Sequence, residues 1–465
     1  MRAWGSAIYR RRIAPVLVCI GAVFVMSCAF AKNTMAYQNI VIAIDPGHGG
    51  DGTEGETDSG AIYNGVKEKE VDMITAQALY EELSQYGNLT VYLTRTEDVH
   101  TELKDRVDFA KSVGADYLIS VHYNASKYHR FYGAEIFTSA FGEEYAKGVS
   151  LAQTIMSWWV DDGRVSKGIK TRIGKNGDYY GLIRMGREAG IPTIILEHAY
   201  LDNNTDFDVY GTPEVWKRLG QLDATAIADY FGVKKGVVQA DVGGELTVAV
   251  PTGQVDDDTT PPTDVTVTID AYNPNTRELS YTISAKEPDS MLMYYDLNTQ
   301  ELAADEEHAF MHMNVWKNGE TSMKGTYTVP EGYQGAFVAR VYNNYEKYTY
   351  TPPITVPADL PGASTLLLGG TQVQPTGVAQ AEGDAESTGT ETPTVTLQDG
   401  SGATWTLDEA LKEAKGAEYV VDHDQVENKN YALMIVALSV IGLLVVVSIV
   451  LAIATHMRRK KGRRR

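Results

Sequence analysis

Two imidazoles and two carboxylates stand where predicted strands end or a predicted helix begins, and together they suggest metal chemistry. These residues are His48, Glu68, His122 and Glu197. A catalytic zinc ion commonly takes two His and one Glu as ligands and keeps a fourth position open for water. A further carboxylate that does not bind the metal can accept a proton and deliver it to a leaving amine. The set is therefore the minimum needed for zinc-dependent hydrolysis of an amide.

Each of these residues also has an ordinary structural explanation. A single histidine is more often structural than a metal ligand, and a glutamate at a helix start, such as Glu68, often only interacts with the helix dipole. Four such residues at the ends of elements are harder to explain in this way. The chain has two cysteines, Cys19 and Cys28, and both fall in a predicted N-terminal signal. Neither a disulfide nor a thiol nucleophile is therefore expected in the mature chain.

The elements that must position these groups alternate along residues 39–233. Strands are predicted over residues 40–44, 89–93, 117–121, 134–137 and 193–196, and helices over residues 68–86, 103–113 and 212–232. This alternation predicts an α/β fold whose sheet carries helices on both faces. Ligands bind at the carboxyl ends of strands in such sheets. His48, His122 and Glu197 all follow predicted strands, so they are expected at one edge of the sheet.

The chain changes character after this region. Residues 237–264 are rich in Gly, Asp, Thr and Pro and are predicted to be a linker, whose acids at 256–258 are expected to be solvated rather than to bind calcium. Short runs of alternating apolar residues over 265–357 predict a small all-β, sandwich-like domain. We hypothesise that this domain is a spacer or a protein-contact module. Residues 358–430 are predicted to form a mostly disordered linker.

Both ends of the chain carry membrane-related patterns. Residues 1–31 combine basic residues with a long apolar run and a small-residue site, which predicts a cleaved signal peptide. An uncleaved anchor and a lipid-modified Cys28 are the alternatives. Residues 431–455 are apolar and uncharged and predict one transmembrane helix, while the basic tail 456–465 predicts a cytoplasmic C-terminus. The expected location is the cell membrane, with a single span and the catalytic domain outside.

Five motifs over residues 39–233 resemble the zinc-dependent N-acetylmuramoyl-L-alanine amidases of the type 3 family. They are IDPGHGG at 44–50, GVKEKEVDM at 65–73, LTRTED at 93–98, ADYLISVHYNAS at 115–126 and PTIILEHAYLDN at 192–203. The resemblance implies that His48, Glu68 and His122 bind Zn²⁺ and that Glu197 is the catalytic general base and acid. Glu68 is preferred over Glu70 because the family has a Glu-Lys pair, which is matched here by Glu68 and Lys69.

The resemblance also leaves some positions to interpretation. His198 stands where the family usually has a small or hydroxyl residue, and a core or supporting position is expected because neighbours on a strand point to opposite faces. Tyr123 stands where a small residue is common, and we expect it to shape the substrate groove. Asn124 is expected to contact the substrate. Arg184 is expected to meet the acidic peptide stem, or to lie on a solvated face.

The implied reaction is hydrolysis of the amide bond between N-acetylmuramic acid and L-alanine in peptidoglycan, for wall remodelling or separation of daughter cells. A related zinc peptidase that cuts another wall or extracellular amide is an alternative, and so is a non-catalytic wall-binding surface protein. Peptidoglycan and the membrane are the expected partners, with a protein activator or division partner as a further possibility. The formal net charge of −20 argues against nucleic acid, whose phosphates select basic surfaces.

Overall fold

The computed structural model describes residues 38–50, 58–357, 360, 396–398 and 404–406. The predicted signal peptide, the transmembrane segment 431–455, the basic tail and most of the linker 358–430 lie outside the described residues. Within the described part of the chain, no helix has both the length and the apolar character needed to cross a membrane.

The first region alternates strands and helices, as the sequence pattern predicts. Its strands are β1 (Ile40–Pro46), β2 (Ile62–Tyr63), β3 (Val66–Lys67), β4 (Leu89–Leu93), β5 (Tyr117–Asn124), β6 (Ala134–Thr138), β7 (Ser166–Lys170), β8 (Ile173–Gly174), β9 (Gly177–Asp178) and β10 (Thr193–Tyr200). Its helices are α1 (Glu68–Leu83), α2 (Leu103–Ser112), α3 (Gly142–Asp161), α4 (Gly181–Glu188), α5 (Asn204–Tyr210) and α6 (Pro213–Phe231).

One six-stranded sheet forms the centre of this region, in the order β4-β1-β5-β10-β6-β7. The strands β4, β1, β5 and β10 are parallel, whereas β6 pairs antiparallel with β10. The register aligns Glu197 of β10 with His122 of β5 on one side and with Glu135 of β6 on the other. Because aligned residues on paired strands point to the same face, these three side chains form one row across the sheet.

Helices cover both faces of the sheet, which confirms the predicted α/β fold. One core cluster joins Ile42 and Ile44 of β1 to residues of α1, α3 and α6. A second joins Ala43 of β1 to residues of α2 and α4. The row of His122, Glu197 and Glu135 belongs to the face covered by α2 and α4, because His122 has the same strand parity as Leu118, which packs in that second cluster.

Local sequence explains where the last helix of this region begins and ends. Pro213 occupies the first helical position of α6, where its missing N–H costs no hydrogen bond. Gly232 ends the helix in a left-handed conformation with φ 66°. Thr212 is the N-cap residue as predicted, but its side chain makes no capping hydrogen bond.

The second region is all β apart from one short helix. Its elements are β11 (Thr263–Asn273), β12 (Glu278–Lys286), β13 (Leu292–Thr299), α7 (Gln300–Ala303), β14 (Asn314–Val315), β15 (Ser322–Thr328), β16 (Phe337–Asn343) and β17 (Tyr348–Tyr350). They form a three-stranded sheet, β11-β12-β15, and a four-stranded sheet, β14-β13-β16-β17. Apolar residues of both sheets, such as Tyr281 and Val341, share one core. A separate pair, β18 (Thr396–Gln398) and β19 (Thr404–Thr406), is antiparallel.

The segment between the two regions, residues 233–262, has no long helix or strand, but it is hydrogen-bonded to the first region. The amide of Thr247 donates to Ser150 Oγ at 2.9 Å, and the amide of Val255 donates to the carbonyl oxygen of Ala140 at 2.9 Å. The expectation that the acids at 256–258 are solvated is wrong for Asp258, which is 6% exposed. Its carboxylate accepts a hydrogen bond from Asn343 at 2.7 Å, and burial with a partner replaces hydration.

Candidate active site and metal centre

His48 lies in a turn whose backbone carbonyl oxygens accept hydrogen bonds from two buried arginines. Arg95 donates to the carbonyl oxygens of Pro46 and Gly47 at 3.1 and 2.6 Å. Arg106 donates to the carbonyl oxygens of Pro46 and His48 at 2.7 and 2.5 Å. His48 itself has φ 54°, a conformation that non-glycine residues rarely adopt. The arginines therefore satisfy carbonyl groups that the turn removes from the sheet.

The imidazole of His48 is oriented by one carboxylate toward another. Its Nδ1 lies 2.7 Å from Oδ1 of Asp58, and its Nε2 lies 3.1 Å from Oε1 of Glu68. The contact with Asp58 at Nδ1 turns the Nε2 edge of the ring toward Glu68. The pKa of His48 is shifted by burial, which lowers it, and by Glu68 and Asp58, which raise it well above its ordinary value.

The imidazole of His122 is oriented by a buried chain of polar groups. Its Nε2 lies 3.1 Å from Ser120 Oγ, which donates to Asp45 Oδ2 at 2.7 Å. Asp45 in turn accepts a hydrogen bond from Arg106 at 2.9 Å. Because Ser120 uses its proton on Asp45, it accepts the proton of His122 Nε2. The Nδ1 lone pair then points to Glu68 Oε1, 3.1 Å away.

Glu68 stands between the two histidines as the first residue of α1. Its Oε2 accepts from the amide of Ala61 at 2.8 Å, and its Oε1 accepts from the amide of Tyr123 at 3.2 Å. Burial alone would raise the pKa of Glu68, but His48 and His122 lower it far below its ordinary value. Glu68 belongs to a group of residues that could hold a metal ion, and Glu70 is not part of that group.

The donor set fits a zinc ion. His48, Glu68, Asp72 and His122 each offer one ligand atom, and these atoms lie within 4.8 Å of one another. Two ligand atoms on one tetrahedral zinc ion lie about 3.3 Å apart, given bonds of about 2.0 to 2.1 Å. The measured 3.1 Å from Glu68 Oε1 to each imidazole nitrogen is close to that value.

A second observation supports a cation at this place. Both carboxylate oxygens of Asp72 are buried with no hydrogen-bond partner in the described part of the chain. Burial and then the charge of Glu68 raise the pKa of Asp72 well above its ordinary value. A buried carboxylate without a partner is costly, and a neighbouring dication would offset that cost.

Glu197 lies beside this cluster, next to His122 in the sheet register. Its half-buried side chain lies within β10, which continues to Tyr200 and so is longer than the predicted strand 193–196. Tyr180 packs against Ile195, which lies on the same face of β10 as Glu197. Burial first and then the charge of Glu197 raise the pKa of the Tyr180 phenol well above its ordinary value. Glu197 is not a member of the cluster of four potential ligands.

The predicted substrate contacts have different outcomes. Tyr123 is 1% exposed and its hydroxyl bonds to Thr75 at 2.9 Å, on the opposite face of β5 from His122. It has no access to the cleft, so the predicted substrate contact is corrected to a packing role, because adjacent strand residues alternate between faces. Asn124 is half-buried beside Glu135, and Arg184 donates to the carbonyl oxygen of Asp178 at 3.1 Å. Their contacts with substrate stay predictions.

His198 supports the strand from behind, as expected. It is fully buried, with Nδ1 3.1 Å from the carbonyl oxygen of His122 and Nε2 2.7 Å from Asp223 Oδ2. Trp159 donates to the other oxygen of Asp223 at 2.7 Å.

Several residues of the site were missed by sequence reasoning. They are Asp45, Asp58, Asp72, Arg95, Arg106 and Ser120. Asp45, Asp72, Arg95 and Ser120 lie inside the quoted motifs, so the motifs carried a signal that was not used. Asp72 lies four residues after Glu68, on the same helix face. Nothing in the sequence around Asp58 or Arg106 indicates their contacts.

The family model that matches residues 42–229 is described as N-acetylmuramoyl-L-alanine amidase. The N-acetylmuramoyl-L-alanine amidase CwlM of Bacillus licheniformis is 30% identical over 199 residues, which cover 42% of this chain and 70% of that protein. This chain belongs to the type 3 N-acetylmuramoyl-L-alanine amidase family. It is an enzyme that hydrolyses the amide bond between N-acetylmuramic acid and L-alanine in peptidoglycan.

Other relatives of this amidase match the same region. The sporulation-specific N-acetylmuramoyl-L-alanine amidase of Bacillus subtilis is 27% identical over 197 residues, which cover 42% of this chain and 70% of that protein. The catalytic domain of the amidase CwlV from Paenibacillus polymyxa is a similar solved structure. It is 29% identical, with a TM-score of 0.35, and the match covers 42% of this chain and 99% of that one. The family match ends before the all-β region.

Proposed function

We propose that this amidase depends on zinc, held by His48, Glu68 and His122, and that Glu197 is its general base and acid. The observation that carries the proposal is that Glu68 Oε1 lies 3.1 Å from an imidazole nitrogen of each histidine. Glu197 is aligned with His122 on the neighbouring strand. This is the two-His, one-Glu set of zinc hydrolases.

Each residue has a defined task in this proposal. Bound zinc supplies a Lewis acid that polarises the amide carbonyl and makes water more acidic. Asp58 and Ser120 hold the two histidines in the tautomers that leave Nε2 of His48 and Nδ1 of His122 free for the metal. Glu197 takes a proton from the attacking water and gives it to the amine of L-alanine as that amine leaves.

The proposal further assigns the enzyme to the cell surface. The predicted signal at residues 1–31 and the apolar segment 431–455 with its basic tail support a single-pass membrane protein with the catalytic domain outside. Wall remodelling or daughter-cell separation is the process that suits this location. Protease treatment of intact cells tests it, since only a chain exposed outside loses its catalytic region. Full protection of residues 39–233 in intact cells would contradict the assignment.

The catalytic proposal is tested with the full-length chain in mild detergent, acting on purified peptidoglycan. Mass spectrometry should detect stem peptides with a free L-alanine amino terminus. A chelator should abolish this product and added zinc should restore it. Glu197→Gln should retain zinc and lower the rate by about a thousandfold, as expected for loss of general acid–base catalysis. Activity in Glu197→Gln close to that of the unaltered enzyme, or full activity without metal, would refute the proposal.

A further inference from the structure

The all-β region is docked on the catalytic region through buried polar groups. Tyr132 donates from its hydroxyl to the carbonyl oxygen of Met313 at 2.8 Å. Asn344 donates from its side chain to the carbonyl oxygen of Lys167 at 3.1 Å. Phe131 and Tyr132 also pack with Met293, Tyr294 and Tyr342 in one apolar cluster. Such an interface fixes the relation of the two regions, which a pure spacer would not need.

The turn between β16 and β17 carries a carboxylate into a buried charge cluster of the catalytic region. Lys167 Nζ lies 2.5 Å from Glu346 Oε1 and 3.5 Å from Glu135 Oε1. Lys170 is paired with the other oxygen of Glu135 and also donates to the carbonyl oxygen of Asn344. Tyr200 Oη donates to Glu346 at 2.8 Å and lies 3.2 Å from Glu135. Lys167, Lys170, Glu135 and Tyr200 are all buried.

With both lysines protonated, the charges in this cluster balance when Glu346 is present, although burial lowers the pKa of Lys170. The catalytic region supplies two ammonium groups and one carboxylate, which leaves one buried positive charge without a counterion. Burial would raise the pKa of Glu135, but Lys167 and Lys170 lower it to about 2, so this carboxylate is ionised. A buried charge without a partner is strongly unfavourable. Glu346 of the all-β region supplies the missing negative charge.

The cluster reaches the active site through Glu135. Its Oε1 accepts a hydrogen bond from Asn124 Nδ2 at 2.6 Å. Asn124 follows His122 by two residues on β5, so its side chain lies on the same face as that imidazole. Glu135 is also aligned with Glu197 in the sheet. The position of one Glu135 oxygen therefore influences the orientation of the Asn124 amide, which lies on the same face of the sheet as His122 and Glu197.

We propose that Glu346 is a positioning residue for the amidase, acting through Lys167, Glu135 and Asn124 to orient the Asn124 amide toward the peptide stem of the substrate. Without Glu346, we expect Lys167 to move closer to Glu135 Oε1 and to compete with Asn124 for that acceptor. The all-β region is then part of the catalytic unit rather than a spacer. The inference rests on the proposed function, because it takes the cleft beside Glu197 as the substrate site.

The test compares two carboxylates that both bridge the regions. Glu346 enters the cluster behind Asn124, whereas Glu306 pairs with Arg130 of the catalytic region and with Arg340 of the all-β region. The two side chains are similarly exposed, at 34% and 42%. Glu346→Gln and Glu306→Gln therefore remove matched interdomain charges, and only the first should disturb Asn124.

Steady-state kinetics on a soluble muropeptide should separate the two variants of the full-length, zinc-loaded chain. In Glu346→Gln, KM should rise about tenfold with kcat changed less than about threefold, because a ground-state contact is lost. Glu346→Asp keeps the charge and should recover part of the affinity. Glu306→Gln should leave KM within about twofold. Equal changes in both variants, or no change in Glu346→Gln, would refute the positioning role.

A double-mutant cycle checks the route through Asn124. Adding Asn124→Ala to Glu346→Gln should raise KM no further than Asn124→Ala alone, whereas additive effects would refute the route. If Glu346→Gln does not fold, Tyr200→Phe replaces it, since that change removes the hydroxyl between Glu346 and Glu135 without removing a charge. Failure of the proposed function would be seen separately, as an active Glu197→Gln or as metal-independent activity.

Discussion

His48 and His122 offer the same chemical group to the proposed metal, but different parts of the molecule hold them. The acceptor for His48 is Asp58, whose side chain is 48% exposed and which adjoins a segment outside the described residues. The acceptor for His122 is Ser120, which is fully buried and leads to Asp45 and Arg106. Asp58 and Ser120 each orient a histidine of the proposed metal site, but only Ser120 also belongs to the core.

The groups that orient His122 also hold elements of the fold together. Asp45 bonds to β5 through Ser120, to α2 through Arg106, and to the end of β4 through Thr94. Removing it should disturb the fold and the metal together. Asp58 has water within reach, so its removal should affect the metal with little effect on folding. Substitutions of the residues that orient His48 and His122 should therefore separate effects on folding from effects on zinc binding.

Asp45→Asn should have the largest effect. The change leaves the buried Arg106 without its counterion, which should lower the free energy of unfolding by about 3 kcal/mol. Zinc affinity should fall about a hundredfold, because the hydrogen-bond chain from His122 through Ser120 then ends in a neutral amide instead of the Asp45 carboxylate. Chemical unfolding of the metal-free chain and competition with a chromophoric chelator measure the two effects.

The pH dependence of the same variant checks the cause. Burial raises the pKa of Asp45, but Arg106, Thr94 and Ser120 lower it below the ordinary value for an aspartate. The charge-dependent stabilisation is therefore complete above about pH 4 and is lost as pH falls through the folded pKa. The stability difference between Asp45→Asn and the unaltered chain should shrink in acid. A difference that stays constant below pH 4 would contradict the ion-pair explanation.

Gly47→Ala should have the next effect, because it crowds His122 directly. An added Cβ would lie 2.4 Å from Cε1 of His122 and 2.7 Å from Oδ2 of Asp72. We expect a loss of about 2 kcal/mol in unfolding free energy from overpacking, together with weaker zinc binding. Gly253→Ala is the matched control, since no heavy atom lies within 4 Å of its added Cβ. Equal stability in the two variants would contradict the predicted overpacking, because the turn at residue 47 would then accommodate the added Cβ without cost.

Ser120→Ala should have a smaller effect that is divided between folding and metal. It leaves Asp45 Oδ2 and His122 Nε2 without their shared partner, which should cost about 1 kcal/mol of stability and about tenfold in zinc affinity. Thr94→Val is the control, because Thr94 also bonds to Asp45 but does not touch His122. In Thr94→Val we expect a similar loss of stability with unchanged zinc affinity. A loss of zinc affinity in both variants would refute a specific role of the His122–Ser120–Asp45 hydrogen bonds in metal binding.

Asp58→Asn should have the smallest effect. Zinc affinity should fall by about threefold, below the range typical of buried supports, and thermal stability should not change measurably. If Asp58→Asn loses as much zinc affinity as Ser120→Ala does, the prediction is wrong, because solvent then does not compensate for the loss of the exposed Asp58 carboxylate.

Local structure was largely determined by the sequence. The β4 strand has the predicted bounds, α6 begins at Pro213 and ends before Gly232, and His48, Glu68 and His122 come together as expected. Periodicity, proline and glycine act over a few neighbouring residues, so their effect is visible in the chain itself. The α/β alternation then restricts where strand ends can lie, which brings the ligands to one edge.

Contacts between distant segments were decided only by the tertiary structure. Tyr123 differs from His122 by one strand position, and which face opens to the cleft depends on the helices packed over it. Glu346 meets Lys167 across 179 positions of sequence, and no local pattern around either residue indicates the pairing. A buried charge selects its partner by proximity in the packed molecule and by the cost of desolvation. That cost exists only once the two regions are folded against each other.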